Sequence, residues 1–142
     1  MKALILNFFV ALLSFGLNTC TKNPAAVADK VLVDTEWNLL SFEVIGVGES
    51  DRGSDGIFLF FKKDSTFKGR SSTNSYYGIY EAGRDDSLYI DIIASTKVGV
   101  PAGSRYGEYL QALRNSSAYE IEKKKLRIIY DDRTKALNFK AE

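Results

Sequence analysis

Ile57-Phe58-Leu59-Phe60-Phe61-Lys62-Lys63-Asp64-Ser65-Thr66-Phe67-Lys68-Gly69 is the stretch that decides the fold class. Five apolar, mostly aromatic or β-branched residues suit the pleated, half-buried surface of a strand. A polar four-residue turn follows, then a second short run that alternates Phe67 with Thr66 and Lys68, which is the pattern of a hairpin. Working outward, residues 76–81 and 88–93 read as two further strands, with Gly83-Arg84-Asp85-Asp86 as the turn between them. Trp37, Leu39 and Ser41 alternate with Asn38, Leu40 and Phe42, a strand with apolar groups on both faces. Three more strands are expected at 118–122, 126–130 and 136–140, joined by the turns Lys123-Lys124-Lys125 and Asp131-Asp132-Arg133-Thr134. Seven or eight short strands in hairpin order favour an antiparallel sheet curled into a barrel or sandwich.

One helix interrupts the strands. Tyr106, Tyr109, Leu110 and Leu113 fall at i, i+3, i+4 and i+7, one stripe of a helical period. The spacing predicts a helix near residues 104–114, with Ser104 as N-cap, Asn115 as the stop, and the stripe as core packing rather than a partner surface. Gly46, Gly48, Gly53 and Gly56, interspersed with Asp51 and Asp55, read as a solvated loop.

The first 19 residues read as a secretory signal: Lys2, then an apolar run from Leu4 to Leu17 that Asn7 and Ser14 interrupt. A spanning helix would need roughly 20 predominantly apolar residues. Leu17-Asn18-Thr19-Cys20 resembles a bacterial lipobox, although a lipobox usually has Gly, Ala or Ser where Thr19 stands. The alternative is an ordinary signal peptide with a Cys near its end, but Cys20 is the one cysteine of the chain. Lipidation of Cys20 would supply several acyl chains, and multiple chains anchor where one binds only marginally. No Asp follows Cys20 directly, so the expected destination is the outer membrane, on the periplasmic side. Residues 20–34 are expected to be the lipidated Cys and a tether, and 35–142 a single domain.

Composition narrows the functions. Without Lys2, the 19 Lys+Arg become 18, equal to the 18 Asp+Glu, so nothing argues for nucleic acid. There is no His, which removes Ser-His-Asp and Cys-His nucleophiles. With Cys20 assigned to lipid, thiolate and imidazole zinc sites are absent too. Counting a calcium loop from Asp51 puts Gly53 at the third position and Lys62 at the twelfth, so the ligand pattern fails. Asp85-Asp86 and Asp131-Asp132 read as turn residues rather than a catalytic pair, and Lys123-Lys124-Lys125 as a solvated basic turn balanced by Asp131 and Asp132, with weak lipid-headgroup contact as the alternative. No catalytic residue, metal or cofactor is expected.

The order of the pieces resembles the META domain family of heat-shock-type lipoproteins. Thr35-Glu36-Trp37-Asn38-Leu39 resembles its opening strand. Thr73-Asn74-Ser75-Tyr76-Tyr77-Gly78-Ile79-Tyr80 resembles its Cys-Asn-x-aromatic-aromatic-Gly-x-Tyr segment, and Ser95-Thr96-Lys97-Val98-Gly99-Val100-Pro101 its Ser/Thr-Thr-Lys/Arg-Met-Ala-Cys-Pro segment. The resemblance implies a mainly β, lipocalin-like, half-open antiparallel barrel with one helix packed on it. It also implies roles in envelope stress or maintenance rather than a defined catalytic activity. Thr73 and Val100 stand where that pattern has Cys, and their joint loss fits a disulfide in relatives. The loop near Pro101 must then be held by packing. Asn74, Tyr76, Tyr77, Thr96 and Lys97 are the candidate binding residues, a polar-aromatic patch near one barrel mouth; the competing reading makes them turn cap, core and strand end. Two functions follow: a monomeric, non-catalytic lipoprotein that contacts another envelope protein, or a carrier of a small apolar or aromatic ligand. Ile57, Leu59, Phe61, Phe67, Tyr89 and Phe139 are bulky enough to fill the interior, which favours the first.

Overall fold

The computed structural model describes residues 32–53 and 55–142. Among these the chain forms nine strands and one helix: β1 (Glu36–Val44), β2 (Gly48–Asp51), β3 (Phe58–Phe61), β4 (Thr66–Arg70), β5 (Ser75–Ala82), β6 (Leu88–Ser95), α1 (Tyr106–Arg114), β7 (Ser116–Glu122), β8 (Lys125–Tyr130) and β9 (Lys135–Ala141). Eight strands make one antiparallel path, β6-β5-β4-β3-β1-β9-β8-β7. Its two outer strands meet at a single antiparallel bridge, Ser87 to Ala118, where the Tyr119 N–H donates to the Asp86 carbonyl at 2.9 Å. The sheet is thus a curled half-open barrel with α1 packed on it, as expected.

Turn chemistry sets the hairpins. Asp64 Oδ1 accepts from the N–H and Oγ1 of Thr66 at 3.1 and 2.6 Å, and Asp85 does the same for Ser87. Asp86, Asp131, Asp132 and Arg133 adopt positive φ, a conformation Asp tolerates better than most residues. The two Asp pairs are turn residues.

β1 carries the main irregularity. Its pairing with β9 slips between Leu39 and Ser41, so Leu40 and Ser41 share one place in the alternation. Trp37 and Leu39 face inward, and after the bulge so does Phe42. A regular strand would have turned Phe42 out. Arg52 Nη1 donates to the Leu39 carbonyl at the bulge, at 3.1 Å.

The interior is an aromatic column. Tyr80 packs edge-on against Phe61 at 4.7 Å, and contacts continue through Phe67, Tyr76 and Tyr109 to Phe139, with ring centroids 5.7–6.4 Å apart. Edge and tilted packing at these separations suits the ring quadrupoles. Tyr76 fits because its cross-strand partner is Gly69: a Cβ there would collide with the phenol ring. The helical stripe Tyr106, Tyr109, Leu110 and Leu113 is buried, as core packing requires.

Four expectations need correction. Residues 46–56 are not all loop, because β2 pairs with β1 over Ser41–Val44. Asp55 is not solvated but fully buried. Tyr89 lies on the outer face, 59% exposed, so it does not fill the interior. The packed domain also reaches back past residue 35: Leu32 and Val33 are buried, Trp37 Nε1 donates to the Leu32 carbonyl at 3.0 Å, and Val33 bridges Phe61. The signal segment 1–19, Cys20 and the rest of the tether lie outside the described residues.

Candidate functional site

The five candidate binding residues do not form one open patch. Asn74 sits in the β4–β5 turn and is buried. Its Nδ2 donates to Thr73 Oγ1 and the Val98 carbonyl at 3.1 and 3.0 Å. Its Oδ1 accepts from the Val98 N–H and Thr96 Oγ1 at 2.7 and 3.1 Å. A carboxamide has two donors and an acceptor oxygen with two lone pairs, so this one has nothing left for a ligand. Tyr76 is in the core, its hydroxyl bonded to the Phe58 carbonyl at 2.8 Å and to the Tyr109 hydroxyl at 2.6 Å. Burial, then the neighbouring Tyr109, pushes the Tyr76 phenol well above its ordinary pKa, so it stays a neutral phenol. Thr96 Oγ1 accepts from the Ser75 N–H at 3.0 Å, while Tyr77 and Lys97 face solvent.

These contacts also settle what holds the loop near Pro101. It is fastened less by packing, as expected above, than by the Asn74 carboxamide clasping both polar groups of the Val98 backbone across 24 residues of sequence. Val98 and Val100 themselves are exposed.

A second junction escaped sequence reading. Ser104 Oγ donates into the buried Asp55 carboxylate, 2.7 and 2.8 Å from its two oxygens, and the Arg105 N–H donates to Asp55 Oδ2 at 2.9 Å. The N-cap is Arg105, one residue later than expected, with its carbonyl accepting from the Tyr109 N–H, while Ser104 Oγ accepts from the Tyr106 N–H at 3.1 Å just outside the helix. A carboxylate 50 residues upstream thus supplies the negative charge that a helix start favours. Arg105 extends the junction: its guanidinium stacks 3.7 Å above the Phe42 ring, donates to the Asp51 carbonyl and Ser50 Oγ of β2, and pairs with both oxygens of Glu108. Arg105 holds the Glu108 carboxyl below its ordinary pKa. Gly-rich spacing around Asp55 looks like any surface loop, so no local signal marks it.

The outer face of β2, β1, β9, β8 and β7 carries a polar network. Arg127 forks onto Glu43 at 3.1 and 2.7 Å and reaches Glu120 at 3.1 Å. Asn138 donates to Glu43 and Ser41, and Ser41 to Glu49. Hydrogen bonding from Arg127 outweighs desolvation and holds the Glu43 carboxyl below its ordinary pKa. A groove of about 250 Å³ runs beside this network. Of the carboxylates around it, Glu43 and Glu120 are tied to Arg127, while Glu49 accepts from Ser41 Oγ. Among the described residues no three carboxylates, cysteines or histidines converge on a metal-sized site, and no helix is long and apolar enough to cross a membrane. Elsewhere, the β5–β6 hairpin presents Tyr77, Ile79, Tyr89 and Ile93 outward, each roughly half exposed.

Fold and site together define a small antiparallel half-barrel whose interior is filled and whose chemistry lies on its surface. Residues 30–142 match the META domain family, and the chain belongs to it. A DUF4847 family protein from Bacteroides vulgatus has a similar structure: 16% identity, 80% of this chain and 96% of that one covered, TM-score 0.63. A protein from Burkholderia xenovorans is similar over 100% of this chain and 99% of its own, at 21% identity and TM-score 0.66. At these identities the likeness is one of fold. No curated protein matches the chain.

Proposed function

We propose that this chain is a cell-envelope lipoprotein, held at the outer membrane by lipid on Cys20. Its META domain acts without catalysis, by contacting another envelope protein in maintenance or stress response. The observation that carries this reading is the pairing of a filled interior with an uncovered outer face. Trp37, Phe61, Phe67, Tyr76, Tyr109 and Phe139 occupy the space a carrier would give its ligand. Tyr77, Ile79, Tyr89 and Ile93 stand exposed on the outer face of β5 and β6 with Glu81 and Asp91 between them, and large apolar groups set among polar ones on a surface suit an interaction site. A carrier of small apolar ligands would instead have to displace the aromatic column.

The test is photo-cross-linking in intact cells, with a photoreactive phenylalanine in place of Tyr89, or of Glu120 as the comparison. A discrete protein adduct at position 89, absent at 120 and lost with Cys20→Ser, is the expected result. Membrane-bound protein that gives no adduct at 89, together with a melting temperature raised by one class of apolar compound, would replace this reading with the carrier. Fractionation of the same cells tests the anchor: Cys20→Ser should leave the membrane pellet.

A further inference from the structure

Lys123 and Lys124 form the turn between β7 and β8, Lys125 opens β8, and Lys140 joins them from β9. Lys125 and Lys140 are direct cross-strand partners. Like charges in that relation repel. The balance expected from Asp131 and Asp132 does not occur. Both lie beyond the opposite end of β8, where Asp131 is held by Asn115 and Lys135. Among the described residues none of the four lysines makes an ion pair, and with Glu122 they line a hollow of about 390 Å³. The hollow sets four ammonium groups against the Glu122 carboxylate, and with Glu36 and Glu142 at the neighbouring ends of β1 and β9 the balance stays positive.

The chain's own path gives this cluster a direction. The Ala141 N–H donates to the Lys124 carbonyl, and Ala141 pairs with Trp37 at the start of β1. The Glu142 N–H donates to the Glu36 carbonyl. The point where the chain enters the domain and the lysine turn therefore share one end of the sheet, two strand spacings apart, or about 10 Å. Cys20 precedes Leu32 by twelve residues, a reach of at most about 40 Å. A lipid at Cys20 would keep that end of the domain within this reach of the bilayer.

We infer that Lys123, Lys124, Lys125 and Lys140 dock the domain onto an anionic bilayer surface, their ammonium groups meeting phospholipid phosphates. This rests on the lipid-anchored reading above. An anionic leaflet attracts each nearby Lys by about 1 kcal/mol, roughly fivefold in partitioning. The attraction fades within a screening length of about 10 Å at moderate salt. The docked state would fix which face of the barrel an envelope partner can reach.

The test uses the protein as purified from cell membranes, reconstituted on vesicles of phosphatidylcholine alone or mixed with phosphatidylglycerol. A water-soluble amine reagent labels the lysines, and mass spectrometry reads each one. On anionic vesicles the four lysines should label about fivefold more slowly than on neutral ones. Molar salt should restore the rate, and Lys97, beyond the far end of β6, should label alike on both. Equal labelling of the four lysines on the two vesicle types overturns the docking. Failure of the anchor reads differently, because a chain without lipid would not stay on neutral vesicles at all. In that case, salt-sensitive retention on anionic vesicles, lost with K123Q/K124Q/K125Q/K140Q, still supports the docking, and no retention overturns it.

Discussion

Asn74 and Asp55 each do structural work across a long span of sequence. Replacing Asn74 with Ala strips the Val98 N–H and C=O, Thr73 and Thr96 of their partners together. Val98 is partly solvated, so water recovers some of the loss, and the expected cost is about 1–2 kcal/mol. It should appear as a lower urea midpoint with an unchanged slope, and as faster amide exchange at Val98. Lys97→Ala in the same loop should change stability by less than about 0.5 kcal/mol; an equal loss in both variants would sink the clasp. Asp55→Ala removes the acceptor for Ser104 Oγ and the Arg105 N–H. The cost should be about 1–2 kcal/mol, with faster amide exchange at Arg105, and unchanged exchange there would count against the capping role. The order of motifs singled out Asn74, but its partner lies 24 residues away and nothing local names it. Asp55 was illegible for the same reason in stronger form, since a buried acid and a solvated one look alike when the donors that satisfy the acid lie in a distant segment.

Strand boundaries were legible where the alternation is regular. The hairpin of β3 and β4, and β8 with Leu126, Ile128 and Tyr130 on one face, form where the residue pattern put them. β1 was harder, because its apolar residues change parity between Leu39 and Phe42. The bulge resolves that change, and it yields a prediction with two arms. Deleting Leu40 removes the extra residue and leaves Trp37, Leu39 and Phe42 all inward, so the domain should still fold, with only the Arg52 contact disturbed. Deleting Lys68 from β4, which pairs on both sides without a slip, leaves no bulge to absorb the shift and swings the buried Phe67 onto the outer face, because a one-residue shift exchanges the two faces of a strand. That variant should lose its tertiary circular dichroism and its dispersed amide spectrum. Equal tolerance of both deletions would mean that the bulge does not set the register. β2 was missed because all four of its residues are exposed. A strand with no buried face has no hydrophobic alternation to read, and this one is held by β1 and by Arg105 from the helix.

At the scale of the molecule, the curled antiparallel sheet with one helix was legible because hairpin order and turn residues are local signals. The way α1 locks onto the aromatic column was not, because it depends on tyrosines that meet only in three dimensions. That column also fixes how the domain responds to pH. Burial pushes the phenols of Tyr76, Tyr106 and Tyr109 above the ordinary value of 10, and Tyr130 up to about 12. A phenol with a raised folded pKa holds its proton more tightly when folded. The stability it contributes is complete below pH 10 and drains away as pH rises through and beyond 12. Carboxylates act at the other end of the scale. Glu43 and Glu108 lie below their ordinary 4.5 because Arg127 and Arg105 bond them, so their contribution is present above 4.5 and lost as pH falls below it. Glu108 is half exposed, which keeps the acid-side loss small. Melting temperature should therefore be flat from about pH 5 to 10 and fall more steeply on the alkaline side. Of the eight tyrosines, these four should develop phenolate absorbance only as the near-ultraviolet dichroism collapses. Tyr130→Phe should push that collapse to higher pH, since it removes one ionisable phenol at little cost in packing. Smooth phenolate formation by all eight near pH 10 with the fold intact would mean that the column is open to solvent, and the account of a filled interior would fall with it.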